Sequence, residues 1–277
     1  MKQRIISSVV GIFILICVLL FYKTIVLNIA ISIISAIAVY ELLLATKYVE
    51  NNVLAATCLI FSISVPFFRT FNVYKFLVPI SIVFVFVLFM IMIAMHDIVK
   101  IEQIGLSFFI SVIIPFGLST LIYIRDKFIT SPYVSIFYML LALGSAWVSD
   151  SGAYFIGTFL GKTPLVPEIS PKKTVEGVVG GVISLLIFGV IISLIFSYLF
   201  YKTNIHINYF MMFLTLPIAS VMGVLGDLSA SLIKRQCAIK DFGTIMPGHG
   251  GVLDRFDSVL FTVPFYYLVE LFFSLIK

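Results

Sequence analysis

Charged side chains are scarce in this sequence. Only 11% of the 277 residues are Asp, Glu, Lys or Arg, whereas about 25% is usual in soluble domains. Hydrophobic residues account for 61%, and the mean hydropathy is +1.19. This shortage of charge excludes an ordinary soluble fold and predicts a protein that crosses a membrane several times. At this length we expect no separate soluble domain beside the membrane part.

Cysteine is also rare. Cys17, Cys58 and Cys237 are scattered and form no Cys-x-x-Cys pair, so we expect neither a disulfide framework nor a zinc site. The net charge is +5, but the basic residues lie in short loops rather than on one polar face. We therefore expect no nucleic-acid binding.

Long apolar stretches fill most of the chain. A membrane-spanning helix needs about 20 apolar residues, and nine stretches approach that length. We therefore predict an all-α, polytopic integral membrane protein with about nine transmembrane helices. The predicted spans are 5–22, 25–45, 53–70, 75–95, 104–124, 133–157, 177–200, 208–232 and 252–275.

Polar residues are distributed unevenly along these spans. Residues 1–130 contain few polar clusters and are predicted to form scaffold helices, with Glu41 and Glu102 at the membrane interface near span ends. Residues 131–277 are predicted to form the catalytic region of the same continuous membrane domain, with a polar cavity on its cytoplasmic side. The third span is expected to be short, because Pro66 and Arg69 shorten it.

The loops predict the orientation. With nine spans, more Lys and Arg residues lie on the side of the N-terminus than on the other, and the richer side is expected to be cytoplasmic. The polar loops 158–176 and 233–251 are separated by two spans and are therefore expected on the same side. We expect a multi-pass protein of the cell membrane whose site faces the cytoplasm.

The densest group of ionisable side chains lies near the C-terminal end of the chain. A charge at the centre of a membrane-spanning helix costs about 2.5–3.5 kcal/mol, so a chain with little charge elsewhere is expected to use these groups for chemistry. Asp227, Ser231 and Lys234 recur at helical spacing and are expected on one face of the eighth span. Asp254 and Asp257 are expected on one face at the start of the ninth span.

Two of these carboxylates suit a metal ion. If the two helix faces meet, Asp227 and Asp254 can point into one cavity. Mg²⁺ favours oxygen ligands and usually takes one or two carboxylates plus substrate phosphates. We therefore predict Asp227 and Asp254 as metal ligands, with Asp257 supporting the metal or orienting Arg255, and with Asp150 as a further candidate. The alternative is a set of Asp–Arg and Asp–Lys ion pairs that only neutralise one another.

A second polar segment follows the sixth span. Pro171 is predicted to open a helix at Lys172, with Ser170 as its N-cap. The free N–H groups at such a helix start attract phosphate, and Lys172 and Lys173 add full positive charges. The segment therefore predicts a triphosphate-binding loop. The alternative is a basic cytoplasmic loop beside a capped helix.

The order of residues in these segments resembles the phosphatidate cytidylyltransferase family. The matching runs are Asp150-x-x-Ala-Tyr-x-x-Gly157, Ser170-Pro-Lys-Lys-Thr-x-Glu-Gly177, Ser231-x-x-Lys234-Arg235, Lys240-Asp241 and His249-Gly-Gly-x-x-Asp254-Arg255-x-Asp257. Three positions depart from the family's pattern: Met246, Thr158 and Val175.

The resemblance implies an activity and its partners. Members of that family transfer a cytidylyl group from CTP to phosphatidate, and the products are CDP-diacylglycerol and diphosphate. The resemblance further implies Mg²⁺, a second cation such as monovalent K⁺, contact with membrane lipid, and a homodimer.

The candidate residues form three sets. The catalytic set is Asp227, Lys234, Arg235, Lys240, Asp241, His249, Asp254, Arg255 and Asp257. The set expected to bind substrate phosphate is Ser170, Lys172, Lys173, Thr174, Ser231, Gly250 and Gly251. The metal set is Asp227, Asp254 and Asp150. The glycines beside His249 permit close approach to a phosphate, although a lone histidine in a loop also serves as a structural cap.

Two other functions share parts of this pattern. A transporter or ion-coupled carrier also buries Asp and Arg beside broken helices, but no inverted repeat is visible in the sequence. A CTP-dependent enzyme that acts on another lipid would share the nucleotide-binding residues. Detection of a nucleotide–lipid product would separate an enzyme from a carrier.

Overall fold

The computed structural model describes residues 2–46, 52–71, 73–200, 206–248 and 250–276. The chain forms two compact units, of which the first contains Met1–Asp126 and Cys237–Arg255 and the second contains Lys127–Gln236 and Phe256–Lys277. The predicted division into a scaffold and a catalytic region stays a prediction, although residues 237–255 group with the N-terminal helices.

The N-terminal part of the first unit is built from apolar helices. They are α1 (Lys2–Leu20), α2 (Val26–Ala45), α3 (Asn52–Ser64), α4 (Leu77–Ala94) and α5 (Ile101–Lys127). As expected from Pro66, α3 ends early and continues as a 3-10 turn over Val65–Phe67, because proline has no N–H to donate within a helix. The stacked rings of Phe61 and Phe84, whose centroids are 4.1 Å apart, join α3 to α4.

The remaining elements follow along the chain. They are α6 (Pro132–Leu160), β1 (Pro164–Val166), β2 (Ser170–Thr174), α7 (Val175–Leu199), α8 (Tyr209–Gln236), the single-turn α9 (Leu253–Phe256) and α10 (Val259–Phe272). Within the second unit, Ser149 Oγ of α6 lies 2.5 Å from Ser220 Oγ of α8. Ser145 Oγ of α6 lies 2.8 Å from the Tyr266 hydroxyl of α10. These buried hydrogen bonds tie α8 and α10 to α6.

Six helices in the described part of the chain are long and apolar enough to cross a membrane, namely α2, α4, α5, α6, α7 and α8. Shorter apolar helices cover Val9–Leu20 and Asn52–Phe67. The mostly helical, membrane-type fold is therefore confirmed, whereas the count of nine spans and the cytoplasmic cavity stay predictions.

The predicted ninth span, 252–275, is interrupted. Asp257 and Ser258 form a turn between α9 and α10, and the Ser258 N–H donates to the Asp257 side chain over 2.7 Å. The expectation that Asp254 and Asp257 share one face of a continuous helix is therefore wrong. The reason is local, since a short Asp side chain competes for the backbone N–H that a helix would use.

Glycines allow α6 and α7 to pack closely. A side chain added at Gly152 would collide with Ser184, and one added at Gly180 would collide with Ile156. Small residues are the usual means of bringing membrane helices together, because lipid provides little hydrophobic drive for their association. The strands β1 and β2 connect the ends of these two closely packed helices.

Residues 164–174 form a hairpin rather than a helix start. β1 and β2 pair antiparallel, with Pro164 opposite Thr174 and Val166 opposite Ser170. The prediction of a helix that begins at Lys172 with Ser170 as its N-cap is therefore wrong. Instead α7 begins at Val175, and Thr174 Oγ1 accepts the Gly177 N–H over 3.1 Å. Thr174 supplies the capping oxygen once strand pairing has engaged residues 170–174.

The first unit also contains a saturated polar network around Arg125, whose side chain is buried. Arg125 Nε donates to Asp126 Oδ1 over 2.7 Å, Nη2 donates to Thr70 Oγ1 over 2.7 Å, and Nη1 donates to Asn28 Oδ1 over 2.8 Å. Nη1 also donates to the carbonyls of Tyr22 and Thr24. The network joins α2, α5 and the loops that follow α1 and α3.

Candidate active site

Three carboxylates cluster in the second unit. Asp150 lies on α6, Asp227 lies on α8, and Asp257 lies in the turn before α10. Ser258 bridges two of them, because its Oγ donates to Asp150 Oδ2 over 2.9 Å and its N–H donates to Asp257 Oδ1. The charge of Asp227 acts on both other carboxylates. The fold therefore concentrates negative charge at one place.

Asp257 has the most buried of these side chains and lies outside the six candidate spans. Burial, followed by the negative charge of Asp227, raises the pKa of its carboxyl group to about 7. The positive charge of Lys234 opposes this shift. A cation bound near these carboxylates would favour the ionised form.

Asp227 has a partner on each oxygen. Its Oδ2 lies 2.6 Å from Lys173 Nζ of β2, and its Oδ1 accepts from Ser231 Oγ one helical turn later over 3.2 Å. The predicted proximity of Asp227 and Ser231 on one helix face is confirmed. The hairpin thus places a lysine beside the carboxylate cluster.

The hairpin is anchored at both ends. Glu176 accepts from the N–H of Lys162 and from the N–H and hydroxyl of Thr163, at distances of 2.9–3.2 Å. Arg235, at the end of α8, donates through Nε to the Ile169 carbonyl over 3.2 Å. These bonds fix the base and the turn of the hairpin, while the Lys172 side chain between them is exposed.

Asp254 binds the backbone of the loop that precedes α9 in the first unit. Its Oδ2 accepts two backbone N–H groups, those of Phe242 and Gly251, each over 2.9 Å. The Met246 N–H donates to the Gly250 carbonyl over 3.0 Å, and Gly250 has a positive φ of 85°, which suits glycine. Asp254 therefore ties the backbone at Phe242 to the backbone at Gly251 through one carboxylate oxygen.

Glu41 on α2 is the functional candidate that sequence reasoning missed. It is only 2% exposed, whereas Glu102, the other acidic residue near a span end, is exposed; their placement at the membrane interface stays a prediction. Glu41 Oε1 accepts the Val252 N–H over 2.9 Å and Oε2 accepts the Leu253 N–H over 2.8 Å. A signal was present, because a single acidic residue within an apolar span needs a partner.

The other candidate residues are divided between the two units. In the second unit, Ser170, Lys172, Lys173 and Thr174 lie in β2, and Ser231, Lys234 and Arg235 lie in the last turns of α8. In the first unit, Lys240, Asp241 and Arg255 are exposed, and Gly251 is buried. His249 lies outside the described residues. Asp227 and Asp254 belong to different units, so the expectation that they share one ion stays a prediction.

The donor chemistry of the carboxylate cluster fits a hard cation. Within the described residues, no three or more His, Cys, Asp or Glu side chains stand close enough to hold a metal ion by themselves. Mg²⁺ does not require such a cage, since it usually takes one or two carboxylates and completes its shell with water and substrate phosphate. Asp227 and Asp150 offer oxygen ligands of this kind.

Comparison with known proteins gives a family for this chain. The model of the cytidylyltransferase family matches residues 2–273. Relatives named phosphatidate cytidylyltransferase include the Bacillus subtilis (strain 168) protein, which is 47% identical over 137 residues, or 50% of this chain and 48% of the relative. The Haemophilus influenzae protein is 40% identical over 162 residues, or 58% of this chain and 55% of the relative.

A third relative of the same name, from Aquifex aeolicus, is 41% identical over 136 residues, which are 49% of this chain and 48% of the relative. The chain thus spans about half the length of the curated relatives it matches. The family model, by contrast, matches nearly the whole chain. The chain therefore belongs to the cytidylyltransferase family.

Proposed function

We propose that this protein transfers the cytidylyl group of CTP to phosphatidate, which yields CDP-diacylglycerol and diphosphate. The observation that carries the proposal is the carboxylate cluster of Asp150, Asp227 and Asp257 with Lys173 paired to Asp227. It lies in a chain of the cytidylyltransferase family whose similar relatives are named phosphatidate cytidylyltransferase.

The reaction demands charge neutralisation more than proton transfer. A phosphate monoester has a second pKa of about 6 and is largely dianionic at pH 7. One of its oxygens attacks the α-phosphorus of CTP, a new P–O bond forms, and the bond between the α- and β-phosphates breaks. Diphosphate leaves with the bonding electron pair. The protein must therefore hold two polyanions together and stabilise the leaving charge.

We assign the metal-binding role to Asp227, with Asp150 and Asp257 in support, and Asp254 of the first unit remains a proposed metal ligand. Mg²⁺ bound there would screen the phosphate charges and stabilise the departing diphosphate. Ser258 orients Asp150 through its hydroxyl, and Ser231 orients Asp227. The contact between Lys173 and Asp227 keeps this lysine beside the carboxylates, where its ammonium group can also meet a substrate phosphate.

The remaining roles follow from charge and position. Lys172, Lys234 and Arg235 would bind phosphate from the hairpin and the end of α8, together with Ser170 and Thr174. Lys240, Asp241, His249, Asp254 and Arg255, with the backbone of Gly250 and Gly251, are proposed to act from the loop of the first unit. Arg suits bidentate phosphate contact, whereas Lys acts as a point charge.

The setting of the reaction is part of the proposal. The six span-capable helices support a multi-pass membrane protein, and a CTP-dependent enzyme needs its nucleotide site on the cytoplasmic side. We therefore place it in the cell membrane with phosphatidate supplied by the bilayer. A homodimer and a second cation such as K⁺ are implied by the resemblance to the family.

One experiment tests the proposal. Purified protein in detergent is incubated with phosphatidate, Mg²⁺ and CTP labelled at the α-phosphate. We expect labelled lipid that requires phosphatidate and disappears with EDTA. Absence of labelled lipid from folded protein would contradict the proposal, and labelled product with another lipid phosphate alone would redirect it to that substrate.

A further inference from the structure

Glu41 binds the backbone of a segment that is distant from it in the sequence. Its carboxyl group is buried, and each of its oxygens accepts a backbone N–H from a segment 211 or 212 residues away in the chain. We propose that Glu41 is a positioning residue, which holds the backbone of residues 251–253 so that Asp254 is presented for the reaction. This inference rests on the proposed function.

The backbone at the start of α9 needs hydrogen-bond acceptors. The N–H groups of Val252 and Leu253 lie at the start of α9, where no earlier helical carbonyl can accept them. Both residues are buried, and a buried N–H without an acceptor is costly. A carboxylate is the stronger kind of acceptor. Glu41 therefore fixes two consecutive peptide groups from α2.

Two glycines leave space for the Glu41 carboxyl group. A Cβ added at Gly243 would lie 2.5 Å from Glu41 Oε1, and one added at Gly251 would lie 2.5 Å from Oε2. At Gly251 all three of the nearest atoms belong to Glu41. The backbone at Gly243 and Gly251 thus approaches so closely that a side chain at either position would force the Glu41 carboxyl group to shift.

The segment that Glu41 holds leads directly to Asp254. The Gly251 N–H donates to Asp254 Oδ2, as does the Phe242 N–H. The segment between Gly251 and Asp254 consists of the two residues that Glu41 holds. Loss of the Glu41 bonds would release this segment and with it the orientation of the Asp254 carboxylate. Glu41 thereby acts through Asp254, and the groups that orient ligands in this way typically contribute about 10–100-fold to activity or metal affinity.

The main test is Glu41→Gln, which keeps the size of the side chain but replaces one acceptor oxygen by an NH₂ donor. We expect kcat to fall about 10–100-fold and the Mg²⁺ concentration for half-maximal activity to rise. The KM for phosphatidate should stay within about twofold of the original value. The matched control is Glu102→Gln, the same change at an exposed residue of the first unit, which should leave all three quantities unchanged.

A second readout does not depend on activity. Hydrogen exchange of peptides that cover residues 241–255 should be at least about tenfold faster in Glu41→Gln than in the original protein. The thermal midpoint should remain within about 4 °C. Faster exchange confined to this segment is what a positioning role predicts, whereas a general structural role would accelerate exchange throughout the first unit.

A steric test covers the case in which Glu41→Gln fails to fold. Gly251→Ala should lower kcat, because the new methyl group collides with Glu41. Glu41→Asp withdraws the carboxyl group by about 1.5 Å, so the additional loss caused by Gly251→Ala should be smaller in a protein that already carries Glu41→Asp. Equal losses in the two backgrounds would overturn the proposal.

The outcomes also separate this inference from the proposed function. Unchanged kcat, Mg²⁺ dependence and exchange in Glu41→Gln would overturn the role of Glu41 while leaving the cytidylyltransferase activity in place. If the original protein makes no labelled lipid, the proposed function fails. The exchange measurement would then still show whether Glu41 holds the loop, and normal exchange in Glu41→Gln would reject that as well.

Discussion

The two units bury polar groups in opposite ways. In the first, the single guanidinium of Arg125 is surrounded by acceptors: Asp126, Thr70, Asn28 and two backbone carbonyls. In the second, the carboxylates of Asp150, Asp227 and Asp257 stand close enough to repel one another. One network is saturated and the other carries an excess of one charge.

The difference separates a structural role from a chemical one. A saturated network lowers the free energy of the folded state, since every buried group has a partner. Like charges held together raise that free energy, and such arrangements are found preferentially at functional sites. We therefore expect damage to the Arg125 network to reduce stability and damage to the carboxylate cluster to reduce activity.

The largest expected effect comes from Arg125→Met. Removal of one partner of a buried charged network costs about 3–5 kcal/mol, because Asp126 Oδ1 and several neutral acceptors lose the donor that Arg125 provides. Chemical unfolding of the purified protein in detergent should show this loss, while kcat per folded molecule stays the same. Arg69→Met is the control, since the Arg69 guanidinium packs over the Tyr123 ring at 5.9 Å and does not belong to the Arg125 network. Equal losses of unfolding free energy in both variants would contradict the stabilising role of the Arg125 network.

Asp227→Asn should reduce activity without reducing stability. We expect CDP-diacylglycerol formation to fall at least about 100-fold, with the thermal midpoint unchanged or raised because a repelling charge is removed. Ser229→Ala, at an exposed position of the same helix, should retain activity. Unfolding of Asp227→Asn would show that the cluster is instead a structural ion pair with Lys173.

Lys173→Met tests the lysine whose Nζ lies 2.6 Å from Asp227 Oδ2. We expect the KM for CTP to rise about tenfold, as is typical for the loss of one charge-assisted contact to phosphate. Lys172→Met, in the exposed neighbour on the same strand, should change it less. The double variant with Asp227→Asn should be no more active than Asp227→Asn alone. Recovery of activity would mean that the two residues only neutralise each other.

The smallest effect is expected at the cap of α7. Thr174→Ala removes the acceptor of the Gly177 N–H and should lower the free energy of unfolding by about 1 kcal/mol. Thr174→Ser keeps the capping oxygen and should be nearly neutral. If both variants lose activity equally without any loss of stability, Thr174 contacts substrate through its methyl group rather than serving as a cap.

Local patterns were sufficient where the interacting residues are close in sequence. The helical spacing of Asp227 and Ser231 predicted a contact that the structure confirms at 3.2 Å, and Pro66 predicted the early end of α3. The start of α7 was mispredicted because Ser170 and Thr174 are both good caps. Pairing of residues 170–174 with β1 selects Thr174.

Composition established the membrane class and the mostly helical fold, because the length and hydrophobicity of each helix are local properties of the chain. The order of polar residues identified the segments expected to carry the chemistry. Long-range packing was needed to show that Lys173 meets Asp227 and that Glu41 holds the backbone of Val252 and Leu253. A polar group in an apolar span must find a partner, but its identity depends on which distant segments the fold brings together.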